Sequence, residues 1–380
     1  MLKVPWGFVL ASFYWYILVG ACQSLNGPLG QALSGRPGFP QTFEKYLASI
    51  FFIGSTATVL IRMIWVKKDR PLITMGAAAL SQIVGTLIVA LGPTWWIMCV
   101  GVAIAGIGYG ILTVWLNAEF ARIFAGHSTG AWLNVLNGFW GVGAICGAFA
   151  FSQIGSQLNA AHLGLALLAG IGLIGAAAIV RYLSQPSEAE AEEAASHARL
   201  PRLLPAYSCL MILYIVVEVG LATYLVRYVV EVWDWKKAEG SAQLSQIWLA
   251  FTLSRFATGM IAARFKESTV LIASIFGMIT AYALMHNGLV APGTLLLGAS
   301  MAPVFSSILA IATRDTLAKA RTTAAVLVCG NFAAISAPTL VELPLGSSMK
   351  ALPFVLMGGA VIMLFTLAFV LRQKLPEANA

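Results

Sequence analysis

Long apolar runs dominate this chain and constrain its fold more than any other feature. Each run is roughly 20 residues long, which is enough for a helix to cross a hydrocarbon core of about 30 Å. Only 10% of the residues are charged and 59% are hydrophobic, whereas a typical soluble domain carries about 25% charged residues. The runs also lack the strict alternation of transmembrane strands. The sequence therefore predicts an all-α membrane protein and excludes a soluble one.

We count twelve candidate transmembrane helices, six on each side of one polar segment. The first six are predicted at Trp6–Leu25, Phe43–Val66, Pro71–Leu91, Trp95–Phe120, Gly130–Ile154 and Leu163–Leu183. The second six are predicted at Pro205–Val230, Ser241–Phe265, Thr269–Met285, Pro292–Ala312, Thr322–Val341 and Ala351–Leu371.

The polar segment between these two groups is Gln185–Leu204, which carries four glutamates followed by two arginines and a proline. A charge-rich run of this kind cannot be buried and is typical of a solvated linker. The sequence therefore predicts an N-terminal six-helix bundle at residues 1–184, a cytoplasmic linker at residues 185–204, and a C-terminal six-helix bundle at residues 205–380.

Lysine and arginine are distributed unevenly among the predicted loops. If the N-terminus is cytoplasmic, 15 of the 23 basic residues lie on the inside, 5 lie outside and 3 lie within helices. Because cytoplasmic loops are rich in basic residues, both termini and the linker are predicted to be cytoplasmic. The same rule explains the net charge of +8 without a nucleic-acid partner. We predict a monomeric, multi-pass protein embedded in the lipid bilayer of a bacterial-type inner (plasma) membrane.

Motifs for enzymatic or metal chemistry are missing from the sequence. The five cysteines lie inside apolar runs without Cys-x-x-Cys spacing, which favours packing over disulfides or metal binding. The four histidines lie in loops or at helix ends. No phosphate-binding loop or nucleophile motif is present. We therefore expect no enzyme activity, no metal, no cofactor and no ATP-driven transport by this chain alone.

The two halves share a pattern of charged turns. The second predicted helix ends in IWVKKDRP (residues 64–71), and its counterpart, the eighth, ends in ARFKES (residues 263–268). The fourth and tenth predicted helices end at Arg122 and Arg314. Two six-helix halves with matching turns in the same orientation form a parallel repeat, and this is the architecture described for the major facilitator superfamily. The predicted fold is thus twelve transmembrane helices arranged as two six-helix pseudo-repeats.

Four segments resemble the major facilitator superfamily, and most of all its fucose/proton symporter-like branch. They are YIVVEVGLATYL at Tyr214–Leu225, IWLAFTLSRFATGMIAARF at Ile247–Phe265, MAPVFSSILAIATR at Met301–Arg314 and WLNVLNGFWGVGAICG at Trp132–Gly147. This resemblance implies the major facilitator fold and a transport function. The chain departs from the family in two places. The usual turn after the second helix survives only as Asp69–Arg70, and the first helix lacks the carboxylate that sugar/proton symporters of this branch often have.

Two charged residues are predicted to lie within the membrane and to face each other. An ionisable side chain is costly there, so each is a functional hypothesis. Glu218 lies near the middle of the seventh predicted helix, and Arg255 lies in the antiparallel eighth at a depth that two long side chains can bridge. As a functional pair, Glu218 would take up and release a proton during transport. The alternative is a permanent ion pair that holds the two helices together.

A second group of polar residues clusters near the cytoplasmic ends of the second and fourth predicted helices. Pairing within this group would close the cytoplasmic side of the protein, and separation would open it. The alternative is that these side chains snorkel to the membrane interface. The predicted cytoplasmic gate consists of Arg62, Asp69, Asn117, Glu119 and Arg122.

The fifth predicted helix carries groups that suit a hydroxyl-rich ligand. Asn134 and Asn137 share a helical face, and the Trp140 ring suits the apolar side of a sugar ring. The same side chains also suit ordinary hydrogen bonds between helices. The complete set of candidate substrate-cavity residues is Tyr14, Gln23, Asn134, Asn137, Trp140, Tyr214, Gln246 and Asn331.

These features predict a secondary active transporter that moves a small polar organic solute by alternating access. The resemblance favours a sugar-like solute, and proton coupling through Glu218 is one hypothesis for the energy source. Two alternatives stay open. One is an exporter of amphipathic compounds with the same fold, and the other is a non-transporting membrane scaffold or sensor.

Overall fold

Helices make up nearly all of the computed structural model of this chain. It describes residues 6–33, 36–40, 43–65, 70–125, 129–154, 158–183, 199–261, 264–314, 316–346 and 348–374. Within these ranges there are α-helices, a short 3-10 helix at Met349–Ala351 and no strands. Most of the predicted linker, residues 185–198, lies outside them.

Thirteen α-helices are found in the described residues. Those before the linker are α1 (Trp6–Leu33), α2 (Phe43–Trp65), α3 (Pro71–Leu91), α4 (Trp95–Ile123), α5 (Thr129–Ile154) and α6 (Leu158–Leu183). Those after it are α7 (Leu204–Trp233), α8 (Lys237–Ile261), α9 (Glu267–His286), α10 (Val290–Met301), α11 (Val304–Arg314), α12 (Lys319–Leu345) and α13 (Leu352–Lys374). Because α10 and α11 together occupy the tenth predicted span, the prediction of twelve membrane segments is confirmed.

Helix length and composition match the thickness of a membrane. Among the described residues, nine helical stretches of at least 20 residues are apolar enough to cross one. At 1.5 Å per residue, 20 residues span about 30 Å. The helices α2, α5 and α8 contain 23, 26 and 25 residues and so reach the same length. The charges at Lys237, Glu239 and Arg255 lower the apolar content of α8.

Local sequence signals set several helix ends. Pro71 opens α3, and Pro205 lies in the first turn of α7. Proline suits these positions because its fixed φ is helical and its missing N–H is not needed in the first turn. The other end of α7 is capped at Asp234, which adopts a left-handed φ of 54°, and the N–H of the next residue, Trp235, donates to the Val229 carbonyl at 3.2 Å. This is a common way to satisfy a helix C-terminus.

The chain divides into two compact units. The first comprises Met1–Ile123, Leu136–Arg199 and Leu317–Ala324. The second comprises Phe124–Val135, Leu200–Thr316 and Ala325–Ala380. Each unit therefore contains a short segment that comes from the other half of the sequence.

Each unit has the same internal packing scheme. In the first unit α3 packs against α4 and α6, α2 packs against α4, and α1 packs against α2 and α6. In the second unit α9 packs against α10 and α13, α8 packs against α10, and α7 packs against α8 and α13. The helices that correspond in sequence order thus have corresponding neighbours. This confirms the two six-helix pseudo-repeats predicted from the charged turns.

Glycines bring two pairs of helices in the first unit into close contact. A Cβ atom at Gly20 of α1 would overlap the Trp140 carbonyl oxygen, and one at Gly143 of α5 would overlap the Ile17 carbonyl oxygen. The same relation holds between α2 and α4, where a Cβ at Gly106 would overlap the Phe51 carbonyl oxygen. Small residues at such contacts let helix backbones approach closely in a membrane.

Pro303 interrupts the tenth membrane segment. Ala302 and Pro303 form a turn between α10 and α11. A proline inside a helix lacks the N–H that would reach the carbonyl four residues earlier, and its ring crowds that carbonyl. The Ala299 carbonyl is therefore left without its usual helical donor. The sequence predicts a single span at Pro292–Ala312 with a bend at Pro303, and the structure divides this span into two helices there.

Candidate functional site

A buried amide network lies among α1, α4 and α5 of the first unit. The Asn117 side-chain amide donates to the Tyr16 hydroxyl at 2.5 Å and to the Thr113 carbonyl at 2.7 Å. The Asn137 amide donates to the Asn117 Oδ1 at 3.1 Å. Tyr16, Asn117 and Asn137 are buried. The structure thus joins Asn137, a predicted cavity residue, to Asn117, which was predicted as part of the cytoplasmic gate.

A second polar contact joins α1 and α5 further along both helices. The Trp140 indole N–H of α5 donates to the Gln23 side-chain oxygen of α1 at 3.2 Å. Both side chains are half-buried. Tyr14, on α1, donates instead to the Leu168 carbonyl of α6 at 2.6 Å. Gln23 and Trp140 are therefore brought together as a pair, whereas the Tyr14 hydroxyl is bonded to a helix backbone.

Asn134 lies one turn before Asn137 on α5, in the segment of that helix that packs with the second unit. Its amide group donates to the Gly130 carbonyl at 2.9 Å within the helix. Its Oδ1 atom is buried and finds no hydrogen-bond partner among the described residues. A buried acceptor without a partner is costly, which makes this oxygen a candidate for contact with a ligand.

The second unit contains a group of ionisable side chains on α7 and α8, in which Glu218 is half-buried. Glu218 and Arg255 attract each other electrostatically, and the Tyr214 hydroxyl interacts with both. The Tyr214 hydroxyl makes no hydrogen bond of ordinary geometry to any described residue. Arg255 is 5% exposed. The structure thus brings together the two charges that were predicted to pair, with a tyrosine from the predicted substrate cavity.

The helix break at Pro303 holds Arg255 in place. The Arg255 Nε–H group donates to the Ala302 carbonyl at 3.3 Å, and the guanidinium lies 4.2 Å from the centre of the Phe251 ring. Ser254 donates to the Ala299 carbonyl at 2.7 Å. Two adjacent residues of α8 thus stabilise two carbonyls that the break leaves short of helical donors.

The remaining predicted cavity residues lie in less informative surroundings. Gln246 is exposed, and Asn331 is half-buried on α12. The buried glutamine of α8 is instead Gln243, which donates to the Thr294 hydroxyl at 2.5 Å. The sequence analysis missed this pair, because choosing between Gln243 and Gln246 requires the rotation of α8 about its axis.

The predicted cytoplasmic gate is only partly described. Arg122 forms a salt bridge with Glu119 on the same helix, with an N–O distance of 2.8 Å. Asp69 and the side chain of Arg62 lie outside the described residues. The gate therefore stays a prediction.

Two polar contacts near the same ends of other helices were not predicted. Lys319, at the start of α12, donates to the Ala121 carbonyl in the last turn of α4 at 3.2 Å. Glu267, at the start of α9, is buried and pairs with Arg314 at 3.5 Å. A basic residue at a helix C-terminus and an acidic residue at a helix N-terminus both oppose the helix dipole favourably. The sequence could have pointed to Glu267 through its charge. This residue lies in the charged turn after the eighth predicted helix, which corresponds to the charged turn after the second.

Metal chemistry has no support in the described part of the chain, where no three His, Cys, Asp or Glu side chains converge to hold an ion. The available chemistry is hydrogen bonding by amides, hydroxyls and an indole in one unit, and the pair of a half-buried glutamate and a buried arginine in the other. Such groups bind solutes and move protons.

Comparisons with known proteins agree with this architecture. A family model described as the Major Facilitator Superfamily matches residues 6–338. The Escherichia coli fucose:proton symporter FucP is similar in structure, with a TM-score of 0.74 at 15% identity over 97% of this chain and 98% of its own. The human organic anion transporter TETRAN has a TM-score of 0.79 at 15% identity, over 96% of this chain and 100% of its own.

The proton:xylose symporter XylE is a third similar structure, with a TM-score of 0.74 at 13% identity over 97% of this chain and 95% of its own. No curated protein sequence matches significantly. At these identities the structural likeness concerns the fold alone.

Proposed function

Since this chain belongs to the major facilitator superfamily, we propose that it is a secondary active transporter that moves a small polar organic solute by alternating access. The family and its structural neighbours indicate a transporter rather than an enzyme. The proposed solute is sugar-like, that is, small and rich in hydroxyl groups. Two of the similar structures are named as symporters of a sugar with a proton, and this supports the choice.

The observation that carries this proposal is the network of Tyr16, Asn117 and Asn137. Amides and hydroxyls are expensive to place in an apolar helix bundle unless they are paired. Each amide carries two donors and one acceptor oxygen, so it can bond a neighbour and a hydroxylated ligand together. The Gln23–Trp140 pair adds an indole face that suits the apolar side of a sugar ring.

Transport by the purified full-length protein in proteoliposomes tests the proposal. Exchange of radiolabelled solute should be measured for neutral sugars, carboxylates, amines and amphipathic drugs. We expect exchange of at least one hydroxylated solute and of none of the drugs. Exchange of drugs alone would favour the amphipathic exporter, and no exchange of any compound would contradict the proposed function.

The variant Asn137→Ala links transport to the network. Removing one buried hydrogen-bonding partner costs about 1–3 kcal/mol, so we expect solute affinity to fall roughly tenfold or more. Asn287→Ala is the matched control, because Asn287 is an exposed amide that donates to the Ala283 carbonyl at the end of α9. If Asn137→Ala binds the solute with wild-type affinity, the network is not part of the solute site.

A further inference from the structure

The contact of Arg255 with the helix break does not by itself require a positive charge. Its Nε–H group satisfies the Ala302 carbonyl at the helix break. One residue earlier, Ser254 satisfies the Ala299 carbonyl at the same break with a neutral hydroxyl. A neutral donor is therefore sufficient for this task on α8. Because a permanent charge within the membrane is costly, its presence at Arg255 points to a role beyond this contact.

The groups around Arg255 favour an anion. Tyr214 is fully buried, and its hydroxyl interacts with Arg255 without an ordinary hydrogen bond to any described residue. Ser306 lies in the first turn of α11, the helix that begins at the break, and α11 packs against α7. The Ser306 hydroxyl is also fully buried and has no hydrogen-bond partner in the described part of the chain. Helix N-termini attract negative charge through their unpaired N–H groups.

Glu218 is the group that balances Arg255 electrostatically in this structure. When Glu218 carries a proton, the guanidinium remains charged, since arginine does not deprotonate in proteins. A buried cation without a balancing charge is unstable. An anion that enters with the solute would restore the balance, and a carboxylate matches the planar guanidinium with two parallel hydrogen bonds.

We propose that Arg255, Tyr214 and Ser306 form a carboxylate-binding site at the break between α10 and α11, and that the transported solute is a hydroxylated carboxylic acid rather than a neutral sugar. The inference rests on the proposed function, because it specifies the substrate class of the same transporter. It assigns Arg255 to solute binding and leaves the proton to Glu218.

A comparison of acidic with neutral sugars as solutes tests the inference on the wild-type protein. Gluconate and glucuronate should be compared with glucose and fucose, by exchange in proteoliposomes and by thermal stabilisation of the purified protein, since a ligand stabilises the state that binds it. We expect the acids to be exchanged and to stabilise the protein, with affinities at least tenfold above those of the neutral sugars. Equal or preferential transport of glucose or fucose would overturn the inference and leave the proposed function intact. Absence of all exchange would overturn both.

Two neighbouring variants separate charge from helix capping. Arg255→Gln keeps an N–H donor for the Ala302 carbonyl but removes the charge, so gluconate affinity should fall at least tenfold. Ser254→Ala removes the neighbouring capping bond and keeps the charge, so gluconate affinity should remain within about twofold of wild type. Equal losses in the two variants, or none in Arg255→Gln, would overturn the assignment. The wild-type comparison decides the question if Arg255→Gln does not fold.

Discussion

Glu218 is the residue on which proton coupling depends in our proposal. Its carboxyl group lies within the membrane segment α7, beside a permanent cation and a tyrosine hydroxyl. A carboxylate in this position changes the local charge balance whenever it gains or loses a proton. Movement of the proton can therefore be linked to movement of a solute.

The variant Glu218→Gln should separate solute movement from proton movement. Glutamine keeps the shape and hydrogen-bonding capacity of the side chain but cannot carry a proton between two sides of the membrane. We expect proteoliposomes with wild-type protein to take up protons when solute is added, and those with Glu218→Gln to exchange solute without proton uptake. The measurement is the change in internal pH on addition of solute.

Glu231→Gln is the control for this experiment, because Glu231 is exposed and pairs with Arg227 within α7. The Glu231→Gln variant should take up protons on addition of solute as the wild type does. Full coupling in Glu218→Gln would reject the hypothesis and leave the Glu218–Arg255 pair with a structural role.

Sequence analysis identified the charged residues of this site but not the residues that hold them. Glu218 and Arg255 are conspicuous because charge within an apolar run is expensive. Their contacts with Phe251 and the Ala302 carbonyl depend on how α8 is rotated and on where the tenth segment breaks. Neither can be obtained from hydropathy. The one available signal was Pro303, since a proline within a helix leaves the carbonyl four residues earlier in need of another donor.

At the scale of the helices, lengths were predictable because they are set by the membrane. Nine of the twelve predicted helices begin within two residues of their position in the structure, namely the first five, the seventh, the ninth, the tenth and the twelfth. The amino terminus of α8 was harder to place. It starts at Lys237, four residues before its prediction, because a charged first turn extends beyond the apolar run. Apolar content thus locates the membrane-embedded part of a helix better than its polar ends.

Close contact between α1 and α5 should make two glycines intolerant of even a methyl group. A Cβ at Gly20 or Gly143 would overlap a backbone oxygen of the facing helix, and backbone atoms cannot move aside as a side-chain end can. Overpacking of this kind costs about 1–3 kcal/mol. We expect Gly20→Ala and Gly143→Ala to lower the melting temperature of the purified protein in detergent by several degrees.

Gly164→Ala on α6 is the matched control, because a Cβ there meets no atom within 4 Å. Alanine is favoured over glycine in a helix by about 1 kcal/mol, so this variant should be as stable as the wild type or more so. Similar melting temperatures for all three variants would mean that α1 and α5 are not in close contact.

At the scale of the whole molecule, the repeat could be predicted but the composition of the units could not. Matching turns after the second and eighth helices reveal two equivalent halves, and the packing pairs within each unit repeat accordingly. The assignment of Phe124–Val135 to the second unit and of Leu317–Ala324 to the first depends on long-range contacts. Hydropathy and charge counts carry no information on such contacts.

The predicted membrane orientation rests on the distribution of basic residues over the whole chain, and it can be measured directly. We expect the loop at Arg36 to face the outside and the turn at Lys266 to face the cytoplasm. In this orientation the cytoplasmic side carries 15 basic residues and the outside carries 5, as the positive-inside rule requires. Both residues are exposed. Arg36→Cys and Lys266→Cys should be made separately in a background without the five native cysteines and treated in intact cells with a membrane-impermeant maleimide. Label should appear at position 36 in intact cells and at position 266 only after lysis, because the reagent cannot cross the bilayer. The reverse pattern would invert the orientation and place both termini outside.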